Sequence, residues 1–184
     1  MTLLTLDTNC IIPFVKHEPG NRPDELDALA ALINAAEDGS IELQLTVSYD
    51  RDAARNRNDD GRARQLEWLA SAPILPRRAA GLFVIGVSVL DGPDVIASDE
   101  DGELYDAIRA VLAPNVDFTL LDDATSDELG KITSDIDHLI AGHKSGAAAF
   151  VTLDHRTILV HRLVLSELDI TVLLPTEAAS AYLT

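Results

Sequence analysis

Short apolar runs alternate with amphipathic stretches along this chain, an alternation that predicts strands and helices in turn. Residues 3 to 6, LLTL, read as a buried strand ending on Asp7. Thr8 and Asn9 follow, small polar residues that start a turn or helix by bonding the backbone and would set the angle of Asp7. Pro13 and the segment HEPGNRP predict a surface loop, with Asp24 capping the next helix. From Glu25 to Glu37, Leu26, Leu29, Ala30 and Ile33 recur at helical spacing, and Gly39 ends the run. ELQLTV, residues 42 to 47, predicts the second strand. Ser48 then caps a helix with Asp50 and Asp52 in its first turns and Arg51, Arg55 and Arg57 along it.

Asn58 to Gly61 predicts a turn, ARQLEWLA a short helix with Trp68 in the core, and PILPRR, residues 73 to 78, a connector. LFVIGVSVL, residues 82 to 90, is the most continuous β signal, with Gly86 marking a bulge or a close backbone approach. Between Asp91 and Asp137 stand 14 acidic residues opposed by Arg109 and Lys131, the pattern of a solvated surface. DGPDVIASDEDGE there reads as a loop or hairpin, Leu104 to Leu112 as helix, Phe118 to Leu121 as a short strand or turn, and Thr125 to Ile132 as a helical turn or two. DIDHLIAGHKSGAAAFVTLD, from Asp135 to Asp154, predicts a helix, a tight passage through GAAA and a strand. Ser134 at the N-cap with Asp137 three residues on matches a capping box with Asp in place of Glu. TVLL, residues 171 to 174, predicts a last strand, and PTEAASAYL a closing helix with Pro175 in its first turn.

Strands interleaved with helices place the chain in the α/β class with parallel strands, and 184 residues fit one domain. In such a unit the start of a helix and the end of the following strand share an edge, so Asp137 and Asp154 approach although 16 residues separate them. The crevice beyond the carboxyl ends of parallel strands is where these folds bind ligands. Asp7, and Asp50 or Asp52, are expected at the same edge. Crowded carboxylates repel one another, and a bound cation relieves the repulsion. Oxygen donors without an obligatory Cys or His favour Mg2+ or Mn2+ over Zn2+. A site of this kind activates water and supports the charge that develops on a transferring phosphoryl group.

The formal charge of −17 argues against an extended nucleic-acid groove and against an anionic membrane surface. No run of about 18 apolar residues predicts a membrane span. Asp7 interrupts the apolar N-terminus too early for a signal peptide, and a single cysteine, Cys10, forms no intrachain disulfide, which together point to the cytoplasm. Cys10 reads as a buried apolar-like side chain. Arg51, Arg55, Arg57, Arg62, Arg64, Arg77 and Arg78 supply half of the 14 basic residues. Two roles compete for them, steering a nucleic-acid backbone and pairing with the acidic surface. His138 and His143 are five apart and do not share a helix face as a ligand pair should, and His155 reads as a surface-turn residue.

LLTLDTNCII at residues 3 to 12, SDIDHLIAGHKSGAAAFVTLD at 134 to 154 and TVLLPTEA at 171 to 178 together resemble the PIN-domain family. The resemblance implies a three-layer α/β/α fold with a central, mostly parallel sheet in a single domain over residues 1–184. The acidic middle region, about 91–133, matches poorly. It implies a metal-dependent endoribonuclease that hydrolyses phosphodiester bonds in single-stranded RNA, using Mg2+ or Mn2+. Carried over by position, Asp7, Asp137 and Asp154 become catalytic metal ligands and Asp52, alternatively Asp50, the helix-borne acid. Thr8 or Asn9 becomes the orienting residue, and Arg51, Arg55 and Arg57 are candidate RNA backbone contacts. The shorter Asp at 52 or 50, where the family carries Glu, is a departure. Asp135 has no family equivalent and lies about 200° from Asp137 around a helix. Many family members are toxins of toxin–antitoxin pairs, so an antitoxin or other protein partner is implied. A catalytically weak or inactive RNA- or protein-binding module and a small-molecule metal-dependent phosphatase are the alternatives. A homodimer would use apolar surface around residues 26 to 36 and 82 to 90.

Overall fold

In the computed structural model, which describes residues 1–16, 22–49, 59–75, 79–80, 98–116 and 126–183, the first apolar run is the centre of a parallel sheet. β1 (Thr2–Leu6) lies between β2 (Ile41–Gln44) and β3 (Ala149–Val151), with β4 (Val172–Leu173) outside β3. Thr2 stands opposite Ile41, Leu4 opposite Ala149 and Phe150 opposite Val172. With the order β2-β1-β3-β4, the chain first steps to one side of β1 and later returns to the other. The reversal falls between β1 and β3, the topological switch point where parallel α/β sheets open a crevice at their carboxyl edge.

The described helices are α1 (Thr8–Lys16), α2 (Pro23–Glu37), α3 (Asp59–Ser71), α4 (Asp99–Leu112), α5 (Ser126–Lys144), α6 (Arg162–Ser166) and α7 (Pro175–Tyr182). Strand alternation sorts side chains between two faces. Leu4, Leu6, Leu43, Leu45 and Val151 pack with Ile11 of α1, Leu29 and Leu32 of α2 and Ala178 of α7. Phe150 and Val172 instead join Ile108 of α4, Ile136, Leu139 and Ile140 of α5 and Leu165 of α6. The described residues thus form the expected α/β/α sandwich. α3 leans on α1, where Phe14 meets Trp68 edge-on with ring centroids 5.6 Å apart.

Several boundaries differ from the sequence expectation. Pro13 sits inside α1, which continues to Lys16 instead of stopping at a loop. Burial of Ile11 and packing of Phe14 at helical spacing outweigh the hydrogen bond that Pro13 cannot donate. α2 starts at Pro23, whose fixed φ suits the first helical position, so Asp24 lies within the first turn and does not cap it. Its neighbour Glu25 accepts from the amide and hydroxyl of Thr176, both at 3.0 Å, tying α2 to the start of α7. Gly39 closes α2 at φ 79, as expected of a left-handed C-terminal residue. α3 absorbs the turn expected at 58 to 61 from Asp59 onward.

The capping box occurs at a different serine. Ser98 Oγ accepts from the Asp101 amide at 3.2 Å while Asp101 Oδ2 accepts from the Ser98 amide at 2.9 Å, opening α4 inside the stretch expected to be loop. Ser134, by contrast, lies in mid-helix, because Ile132, Ile136, Leu139 and Ile140 carry one apolar stripe through α5 without a breaker. Ile74 and Ala79 lie along the outer edge of β2, through parallel bridges from Leu43 to Ile74 and from Thr46 to Ala79. Within segment 26 to 36, Leu29, Leu32 and Ile33 are buried in the core, whereas Leu26 and Ala30 are half-buried. The strands expected at 82 to 90 and 118 to 121 lie outside the described residues. Among the described residues no helix is long and apolar enough to cross a membrane.

Candidate functional site at the carboxyl edge of the sheet

β1 and β3 end side by side, and each hands the next residues to the edge. The Asp7 amide still donates to the Val151 carbonyl at 2.9 Å, so the parallel ladder runs on until it reaches the acid. Asp7 is nearly buried, and its Oδ2 accepts from the Thr152 hydroxyl at 2.6 Å. That same Thr152 oxygen accepts from the Asp154 amide at 2.9 Å and from Asn9 Nδ2 at 3.2 Å. Asn9 Oδ1 in turn accepts from the Leu153 amide at 2.9 Å. One hydroxyl thus joins the carboxylate after β1 to the backbone of the acid after β3. Asn9 clasps the two strand ends together, while Thr8 opens α1 and is buried.

Asp154 is half-buried, and its Oδ1 accepts from the amides of Arg156 and Thr157, both at 2.8 Å. It caps the turn that follows β3, an arrangement common for Asp, and the turn exposes His155 as expected. Cys10 is fully buried next to Asp7. Burial above all, then the negative charge of Asp7, pushes its thiol well above the ordinary cysteine range, which disfavours the thiolate.

Asp137 reaches the same edge from α5. Its Oδ2 accepts from the Ser48 hydroxyl at 2.8 Å, and Ser48 follows β2 four residues past Gln44. Asp137 is 1% exposed. Eleven residues of α5 precede it, so the helix begins about 16 Å away along its axis. Asp137 therefore takes its place at the edge from mid-helix, not from a helix N-terminus. The neighbouring His138 is buried, pairs its Nδ1 with the Thr46 hydroxyl and tilts against Phe150, whereas His143 is exposed, so the two histidines do face apart.

Three of the four expected acids thus lie at the carboxyl edge in the order of the strands, Asp137 beside the end of β2, Asp7 after β1 and Asp154 after β3. Asp50 and Asp52, together with Arg51, Arg55 and Arg57, lie outside the described residues. Asp135 is a half-buried mid-helix residue, not one before the first turn. Among the described residues no group of three or more His, Cys, Asp or Glu side chains is gathered closely enough to hold a metal ion. The donors at the edge are carboxylate, hydroxyl and amide oxygens, the chemistry that Mg2+ and Mn2+ accept.

Sequence reasoning missed Thr152, Thr46 and the side-chain role of Ser48. A signal was present: Thr5, Gln44, Thr46, Ser48 and Thr152 break the apolar runs at alternate positions, and all five are buried. No family model and no curated protein matches the sequence.

Proposed function

We propose that the protein is a Mg2+ or Mn2+ dependent phosphodiesterase of the PIN-domain type that hydrolyses single-stranded RNA. The observation that carries this reading is the junction of Asp7 and the Asp154 backbone through one hydroxyl at the switch point of a parallel sheet. Asp7 and Asp154 would hold the cation, with Asp137 and Asp52 or Asp50 completing or orienting its surroundings. Bound there, the cation supplies charge for an attacking water and for the phosphoryl oxygens. Thr152 and Asn9 hold the strand ends and leave Asp7 one defined orientation. The arginines between Arg51 and Arg64 would face the backbone of the RNA, and an antitoxin-like partner would cover the edge.

The full chain should cleave single-stranded oligoribonucleotides with either metal and lose cleavage in EDTA. Asp7→Asn and Asp154→Asn should each lower kcat by roughly a hundredfold. If neither metal supports cleavage and Asp7→Asn titrates with Mn2+ as the parent does, the proposal fails. One observation favours a second reading: Asp137 is 1% exposed and bonded to Ser48, which suits a structural carboxylate in a silent, RNA- or protein-binding module. Binding seen by calorimetry that neither Asp154→Asn nor EDTA changes would select that reading.

A further inference from the structure

The face of the sheet beneath α5 carries a polar seam. Gln44 Nε2 donates to Thr5 Oγ1 at 2.8 Å and also to Ser145 Oγ of the turn that ends α5. Two residues on, Thr46 pairs with His138, and two further on Ser48 donates to Asp137. Residues 44, 46 and 48 thus meet residues 145, 138 and 137 in reverse order, α5 running antiparallel to β2 and to the helical turn at 47–49 that continues it. Gly142 lets the helix come close, because a Cβ there would lie 3.1 Å from Thr5 Oγ1.

Apolar packing is non-directional and tolerates a small rotation or slide of a helix, whereas hydrogen bonds between buried groups do not. A slide of one residue would turn Asp137 by about 100° away from the edge. We infer that Ser48 is a positioning residue, fixing the Asp137 carboxylate at the carboxyl edge, with the Thr46–His138 pair setting the rotation of α5 beneath it. As a contribution to the metal site, this rests on the function proposed above; as a statement about where Asp137 lies, it does not.

Two measurements test it. In the first, Mn2+ binding to the full chain is followed by the spin resonance of the free ion. Ser48→Ala should weaken binding about tenfold, Ser48→Thr should retain it, and Asp137→Asn sets the scale of complete loss. The second uses metal-free crystals of Ser48→Ala and, should that variant not fold, of Ser48→Cys. A carboxylate displaced or split between rotamers supports the inference. One that stays within about 0.5 Å of its parent position overturns it, whatever the titration shows. Absence of Mn2+ binding in the parent chain counts against the nuclease reading, and the crystals still decide the positioning role.

Discussion

Thr152 has one proton to give, and the 2.6 Å bond to Asp7 takes it. Its lone pairs are then committed to the Asp154 amide and to Asn9. Thr152→Val keeps the shape and strips all three bonds, those to the Asp7 carboxylate, the Asp154 amide and Asn9. The expected loss is about 1–3 kcal/mol in urea unfolding, with Thr152→Ser much closer to the parent; an equal loss in both variants would mean that the methyl group, not the hydroxyl, matters. Asp7, Asn9 and Asp154 were legible in the sequence because each stands at or just past a strand end, a local property. Thr152 and Ser48 were not, since their partners lie 145 and 89 residues away and a hydroxyl does not announce whether it caps its own turn or bonds across the fold. Asp137 was legible as an acid on the helix before β3, yet the Ser134 capping geometry expected there does not form, because both residues lie inside α5.

Whole elements were legible where apolar periodicity was long, as in α2 and in the later half of α5, and illegible where two patterns competed. SDED has the same spacing as SDID but stands in a stretch expected to be loop. Tertiary context separates them: Ser98 is the N-cap of α4, whereas the apolar stripe of α5 carries the helix through Ser134. Glycines on the two helices that form this layer separate the same way. Gly102 of α4 has nothing within 4 Å of where a Cβ would stand, so Gly102→Ala should stabilise by about 0.5–1 kcal/mol through helix propensity alone. Gly142 of α5 would place its Cβ 3.1 Å from Thr5, which is fully buried and held by Gln44, and so cannot give way. Overpacking of about 1–3 kcal/mol should exceed the propensity gain, and Gly142→Ala should destabilise. Thermal melts of the two variants moving in the same direction would refute the close seating of α5 on the sheet.

At the scale of the molecule, charge and local bonding pull stability in opposite directions as pH falls. The formal charge of −17 means that protonating ordinary carboxylates, near pH 4, relieves self-repulsion. Specific acids oppose this. Asp101 is held below the usual carboxylate range by the Lys144 ammonium, at 2.6 Å, and by the Ser98 amide, a contact that ties the start of α4 to the end of α5. Glu177 is raised most by burial, yet ends lower through the Leu174 amide and Arg162. A depressed folded value means stability present above the unfolded value near 4 and lost as pH drops through the folded one. On the alkaline side burial raises the thiol of Cys10 and the phenol of Tyr105, so stability fully present below their ordinary values falls as pH climbs past about 9. The urea midpoint should therefore be level from about pH 5.5 to 8 and drop at both ends. Asp101→Asn should make the acid limb less steep, because the slope counts protons taken up on unfolding. Salt separates the two contributions: at pH 7, raising ionic strength to about 0.5 M should lift the midpoint by screening the negative surface, while near pH 4, where that charge is already reduced, the same salt should lift it less. An equal salt effect at both pH values would mean that the net charge does not set the stability of this fold.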